Sequence, residues 1–245
     1  MHCLTHCSIL IVVAITLSGC GGHKTVTTAQ GTTVTGPRAD AIDRLREAAE
    51  DLTQLMDAPD SGAPASVLAA AKCVAIVPSM IKGGFVVGAR HGRGVATCRT
   101  AKGQWSAPAF FTITGGSWGA QIGVEAIDLV MLIMNDQGMQ NLLSSQFKIG
   151  GEASLAVGPV GRQAEATTDW KLNAQVLTYS RARGVFAGLD LNGAVIKADD
   201  EAGAAFYGHD AGFKELLSGS IRASADAQPF LNAVRRSFRE AKTEH

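Results

Sequence analysis

The residues best placed to do chemistry lie between Lys82 and Arg93, in a run that also carries Arg90 and His91. Alternation on both sides of His91-Gly92 predicts a hairpin with strands 84–90 and 93–99, Gly92 supplying the positive φ of a two-residue turn. Such a hairpin sets Arg90 across from Arg93, Gly88 across from Val95 and Phe85 across from Cys98. Like charges directly opposite one another on paired strands repel. An anion between them turns the repulsion into binding, because guanidinium donors match phosphate oxygens. Lys82, Arg90, His91 and Arg93 are therefore the candidate edge of an anionic-headgroup site, and the competing reading is a solvated hairpin tip.

A second pattern, Gly115-Gly116-Ser117-Trp118-Gly119, fits G-x-S-x-G, and Asp190 or Asp199 and then His209 follow in the chain order of a serine hydrolase. That chemistry needs Ser117 on a strand-to-helix turn. The residues from Ala120 to Val124 alternate like a strand instead, and no repeated strand–helix pattern runs through the chain. Hydrolysis through Ser117 stays a remote alternative; no catalytic residue is assigned and the chain is expected not to be an enzyme. With neither H-x-x-x-H nor C-x-x-C, and no Walker loop, no metal or cofactor is expected. Trp105, Phe110, Phe111 and Trp118 read as core aromatics, although Trp105 beside Lys102 also suits a membrane interface.

Cys20 carries a different chemistry. Ser8 to Leu17 is apolar and too short to span a bilayer, which takes about 20 residues, but it suits the core of a secretory signal. Leu17-Ser18-Gly19-Cys20 follows and resembles the lipobox of bacterial lipoproteins, in which the cysteine sulfur receives a diacylglycerol and the new amino terminus is acylated. Two or more acyl chains hold a protein firmly to a membrane. Gly21 stands where an Asp favours retention at the inner membrane, so the expectation is a lipid-anchored envelope protein, at the outer membrane rather than the inner. Cys3 and Cys7 depart with the signal, leaving Cys73 and Cys98. A three-strand meander puts these two at opposite ends of their strands, too far for a bond, while other strand orders bring them within reach. Their pairing stays open.

The chain has 22 basic and 22 acidic residues, so nothing overall points to nucleic acid. The balance hides an asymmetry: residues 38–60 hold three basic and seven acidic side chains. Residues 61–124 hold six basic ones (Lys72, Lys82, Arg90, Arg93, Arg99 and Lys102) and no acid at all. Within a screening length of about 10 Å such a local excess matters more than the total.

The elements that must position these groups follow from periodicity. Residues 1–19 are the signal peptide, 20–37 the lipidated cysteine and a flexible Gly/Thr-rich stalk, and 38–245 a single domain. Apolar spacing predicts helices over 38–56, 65–71, 136–143, 199–206, 211–217 and 226–240, the last with Phe230, Val234 and Phe238 on one stripe. Alternation predicts strands over 73–77 (closed by Pro78), the hairpin, 107–114, 117–124, 153–157, 170–179, 185–190 and 194–196. Residues 127–134 are apolar on both faces and read as a buried strand. The fold class is α+β, an antiparallel, barrel-like sheet flanked by N- and C-terminal helices.

An ordered set of motifs from Lys72 to Gly208 resembles the SYLF domain, a lipid-binding module of bacteria, fungi, plants and animals. It runs through Lys72-Cys-Val-Ala-Ile-Val-Pro78-Ser79, Gly83-Gly-Phe-Val-Val-Gly88, Gly92-Arg-Gly-Val95, Trp105-Ser-Ala-Pro-Ala-Phe110 and Gly115-Gly-Ser-Trp-Gly119. It ends with Gly158-Pro-Val-Gly-Arg162, Tyr179-Ser-Arg181, Gly184-Val-Phe-Ala-Gly188 and Tyr207-Gly208. The resemblance implies the family's fold and binding to membrane lipids. Animal members recognise phosphoinositides and some fungal members bind actin filaments. In a bacterial envelope it implies another anionic lipid: phosphatidylglycerol, cardiolipin or the phosphates of lipid A. The runner-up is an envelope protein whose partner is another protein.

Overall fold

A computed structural model describes residues 24–56, 62–84, 87–118, 123–160, 174–182, 185–187, 189 and 191–243. The signal segment, Cys20 and Asp190 lie outside the described residues. The described chain begins with a short hairpin, β1 (Thr25–Thr27) and β2 (Thr33–Thr35), leading into α1 (Pro37–Met56) and α2 (Ala65–Ala70). Four long strands follow: β3 (Cys73–Gly84), β4 (Val87–Cys98), β5 (Ala109–Trp118) and β6 (Gly123–Ile133). Then come α3 (Asp136–Leu143), β7 (Gln146–Lys148), β8 (Leu155–Val157), β9 (Val176–Ala182), β10 (Val185–Ala187) and β11 (Val195–Ala198). The described chain closes with α4 (Asp200–Tyr207), α5 (Phe213–Ser218), a 3₁₀ turn over Ala225–Ala227 and α6 (Gln228–Thr243).

The sheet runs in the order β10-β9-β6-β3-β4-β5-β11-β7, antiparallel throughout, with β8 added parallel to β9. It is the expected α+β architecture, a curled sheet with helices from both ends of the chain packed on it. Alternation sorts the side chains into two layers. Val74 and Ile76 of β3, Val95 of β4 and Val130 and Leu132 of β6 join Leu45, Leu52, Leu68, Phe230, Val234 and Phe238 from α1, α2 and α6. Cys73, Ala75, Val77 and Met80 join Leu129, Met131 and Phe111 with Leu142 of α3 and Leu216 of α5 on the other side. Two layers explain why residues 127–134 are apolar on both faces.

Several expectations need correction, among them the separate strands over 107–114 and 117–124: β5 runs unbroken to Trp118, and Gly123 begins β6. The hairpin does not turn at His91-Gly92: β4 passes straight through them, and Gly84 pairs with Gly88, so the chain reverses between the end of β3 and the start of β4. Gly92 and Gly94 serve packing instead. A Cβ on Gly92 would stand 2.4 Å from Val77 Cγ1, and one on Gly94 2.4 Å from Phe111 Cζ and 2.6 Å from the Ile76 carbonyl. Only glycine lets the neighbours close over the inner curve of the strand.

Pro78 does not end its strand either. It sits in a bulge where the register shifts between Val77 and Met80. Bulges tolerate proline because they interrupt the ladder. Ser79 there takes φ 50°, with its N–H held by Asp128 Oδ1 at 3.0 Å.

The stalk is also shorter than its composition suggests. From Lys24 onward the chain is docked: Val26 is buried, Lys24 Nζ meets Asp43 at 2.6 Å, and the Ala29 N–H donates to Asp226 at 2.7 Å.

Candidate functional site

The four hairpin residues do not share a face. Lys82 lies across from Arg90, with Gly115 beyond it, on the side of the sheet that faces α3 and α5. Arg90 is buried there and donates to the Gly116 carbonyl at 2.7 Å, so its guanidinium is committed to the protein. Glu125 is the cross-strand neighbour of Lys82. His91 and Arg93 point to the opposite face, into a cleft of about 410 Å³ that also takes in Lys24, Asp40, Asp43 and Glu47. Carboxylates from α1 thus meet the cations of β4.

Arg93 Nε lies 3.7 Å from Asp199, a carboxylate that also holds Arg44 at 3.0 Å and accepts the Ala202 N–H at the start of α4. Burial lowers the Arg44 pKa, and the Asp199 hydrogen bond opposes that shift. Lys72 is paired with Asp136 at 2.9 Å. The acid-free stretch of sequence is therefore not one basic surface, because the fold supplies carboxylates from elsewhere.

The hydrolase pattern loses its structural context. Ser117 lies inside β5 opposite Gly88, not on a strand-to-helix turn. Asp199 is occupied by two arginines and a helix cap, and His209 Nδ1 is 3.0 Å from the Asp210 carbonyl. Asp190 lies outside the described residues. Among the described residues, no group of three or more His, Cys, Asp or Glu is placed to hold a metal ion.

The pairing of β3 with β4 settles the cysteines. With β3 and β4 paired end to end, Cys73 faces Cys98 and the two form a disulfide. It pins the start of β3 to the end of β4, where a different site is built. The Arg99 N–H donates to the Lys72 carbonyl at 2.8 Å and its Nε to the Ala71 carbonyl at 3.2 Å. Its guanidinium carbon lies 4.7 Å from the centre of the Trp105 ring and 5.6 Å from that of Phe238. Those two rings meet edge to face at 4.7 Å. Nη2 of Arg99 is buried with no hydrogen-bond partner. Burial alone lowers the pKa of this side chain, with no carboxylate to offset it.

Arg235 and Arg239, spaced i, i+4 on α6 and so on one helical face, complete a cleft of about 570 Å³ with Gln104. Among the described residues, neutral oxygens hold Arg235: its Nη1 donates to Asn232 Oδ1 at 2.7 Å and to Gln228 Oε1 at 3.4 Å. No carboxylate lines the cleft among the described residues. Volumes of about 300–1,000 Å³ suit small ligands, and three guanidinium groups around an aromatic floor suit an anion.

Of these groups, sequence reasoning marked Arg99 within the basic stretch and Trp105 beside Lys102. It missed Arg235 and Arg239. The available signal was an arginine pair one helical turn apart, flanking the apolar stripe that ends in Phe238.

Comparison with known proteins gives a consistent picture. A family model described as "Ysc84: Las17-binding protein actin regulator" matches residues 114–237. SH3 domain-containing YSC84-like protein 1 of Bos taurus is 37% identical over 197 residues, covering 80% of this chain and 57% of that protein. The Homo sapiens protein of the same name is 37% identical over 185 residues, 75% of this chain and 53% of its own. Protein YSC84 of Saccharomyces cerevisiae is 33% identical over 192 residues, covering 76% and 40%. The chain thus spans about half the length of the curated relatives it matches, or less. These names are those of binding and regulatory proteins.

Proposed function

The chain belongs to the Ysc84 family, the SYLF family of the sequence motifs, and from that premise we propose that it is a binding module for anionic lipid headgroups. Its setting is the bacterial envelope, at the outer membrane rather than the inner, with acyl chains on Cys20 as the anchor. One observation carries the headgroup reading: Arg99, Arg235 and Arg239 surround a Trp105–Phe238 floor with no carboxylate among the described residues lining it. The headgroup contact therefore moves from Lys82, Arg90, His91 and Arg93 to this cleft.

The anchor reading rests on the lipobox and agrees with two structural features. Disulfides such as Cys73–Cys98 persist in oxidising compartments outside the cytosol. The docked chain is described from Lys24, just ahead of β1 and four residues after Cys20, a reach of about 14 Å at most. A domain so tethered lies against the bilayer that holds it.

The test is a titration of the acylated chain in neutral detergent with mixed micelles, zwitterionic or doped with phosphatidylglycerol. Saturable binding to the anionic micelles alone, weakening as salt rises, is the expected result. Equal response to both compositions contradicts the reading. A second reading, a protein partner in the envelope, is favoured by the name of the yeast relative LAS seventeen-binding protein 3, which is 34% identical over 180 residues. It predicts a chain indifferent to anionic micelles.

A further inference from the structure

Resting on the proposed anchor at Cys20, we infer that the β1–β2 hairpin is a releasable latch on the membrane tether. Docked, it keeps the domain close to the bilayer; released, it lengthens the tether several-fold while the domain stays folded. Strands of three residues make a hairpin that is marginal on its own, so its order comes from docking. That docking is shallow. Val26 and Thr28 are its buried side chains and Val34 is half-buried, whereas α1 sinks Ile42, Leu45, Leu52 and Leu55 into the core. The other contacts are polar: Lys24 Nζ to Asp43, Arg46 to the Thr27 carbonyl, and the Ala29 N–H to Asp226. Lys24 is exposed, and an ion pair in water holds weakly.

The junction with α1 is built so that the hairpin can leave alone. Gly36 takes φ +74°, and no atom lies within 4 Å of where its Cβ would stand. Rotation about that bond swings the hairpin while the Gly36 carbonyl stays on the Asp40 N–H, which it accepts at 3.1 Å. Pro37 opens α1 with its φ already set for a helix, so the first turn survives without the hairpin. Asp226 is not stranded either, because Arg38 of α1 stays paired with its second oxygen at 3.0 Å.

Release changes the reach. Docked, four residues separate Cys20 from Lys24, about 14 Å at most. Released, seventeen residues separate Cys20 from Pro37, about 60 Å at full extension and about 20–25 Å on average for a flexible chain. Release also withdraws Lys24 from the cleft at Arg93, which it lines beside Asp43 and Glu47.

The experiment is native-state hydrogen exchange on the acylated full chain in neutral detergent, across low urea. It follows the amides of Thr28 and Ala29, both hydrogen-bonded in the docked hairpin, against those of α1. The hairpin amides are expected to exchange about a hundredfold or more faster than the core of α1, at a rate that hardly changes with urea. Val26→Ala should speed hairpin exchange about tenfold and leave α1 unmoved. Hairpin and α1 amides that share one urea slope overturn the inference, because the hairpin then opens only when the domain unfolds.

Reach is read in vesicles carrying dansyl headgroups, by energy transfer from the tryptophans of the acylated chain. Val26→Asp sets a carboxylate in the apolar dock and should lower transfer about twofold or more. Equal, measurable transfer in the two proteins overturns the change of reach alone. Transfer from neither overturns the anchor at Cys20 and the tether with it.

Discussion

Raising the pH from about 5 to about 7 is expected to destabilise this fold through one carboxylate, Asp51. The residue sits on the face of α1 that packs against the sheet, and it is 7% exposed. Its Oδ1 accepts from Arg181 Nη2 at 3.1 Å, but Arg181 also donates to Asp128 through Nε at 3.1 Å and Nη2 at 2.5 Å. One guanidinium thus serves two acids, and Oδ2 of Asp51 is buried without a hydrogen-bond partner. Burial, reinforced by the charges of Asp128, Glu47 and Glu50 and only partly offset by Arg181, raises the Asp51 pKa from 3.8 to about 7.

The sign follows from proton counting. Between the unfolded pKa near 3.9 and the folded value, the folded chain holds the extra proton, so stability falls as pH rises. The slope is at most about 1.4 kcal/mol per pH unit, and about 2 kcal/mol between pH 5 and pH 7 is the magnitude to expect once local relaxation is allowed for. Urea unfolding with the disulfide intact, at several pH values across that range, measures it. Asp51→Asn keeps an acceptor for Arg181 and removes the titration, so its stability curve should be flatter by about one proton. Identical pH slopes in the two proteins refute the reasoning.

Other expectations follow from the packing and the chemistry. Replacing Cys73 and Cys98 together by Ala should cost about 3.5 kcal/mol, the chain-entropy value for a loop of this length, read as a lower urea midpoint. Gly94→Ala should destabilise by about 2 kcal/mol or more, because its Cβ meets the Phe111 ring and the Ile76 carbonyl at once; a wild-type melting temperature contradicts the packing described. Cys20→Ala should abolish incorporation of labelled palmitate, and retained labelling contradicts the lipobox reading.

Periodicity carried the architecture well. The stripe of Phe230, Val234 and Phe238 became the buried face of α6, Asp199 capped α4, and Gly219 ended α5 in a left-handed turn. What failed did so at Gly and Pro. Gly92 looked like a turn residue because flexibility and the need for space leave the same mark in a sequence, and only the neighbours Val77 and Met80 tell them apart. Pro78 looked like a strand end because the bulge that accommodates it depends on Asp128, 50 residues later. Misplacing the turn then separated two cysteines that in fact face each other.

The candidate site was legible only in part for a related reason. Charge counted along the chain made Lys82 to Arg93 the natural choice, but Asp43, Glu47 and Asp199 come from other elements and answer those cations in space. The cleft at Arg99 escapes such counting because its members lie 136 positions apart, from Arg99 to Arg235, and are joined by the docking of α6 beside the disulfide.

The most direct measurement compares the acylated wild-type chain with the Arg235→Gln/Arg239→Gln double variant, both titrated with anionic and zwitterionic mixed micelles. The account predicts that the wild type binds the anionic micelles, that the variant loses most of that affinity, and that the two proteins unfold at the same urea concentration. Undiminished binding by an intact variant contradicts the placement of the headgroup in this cleft.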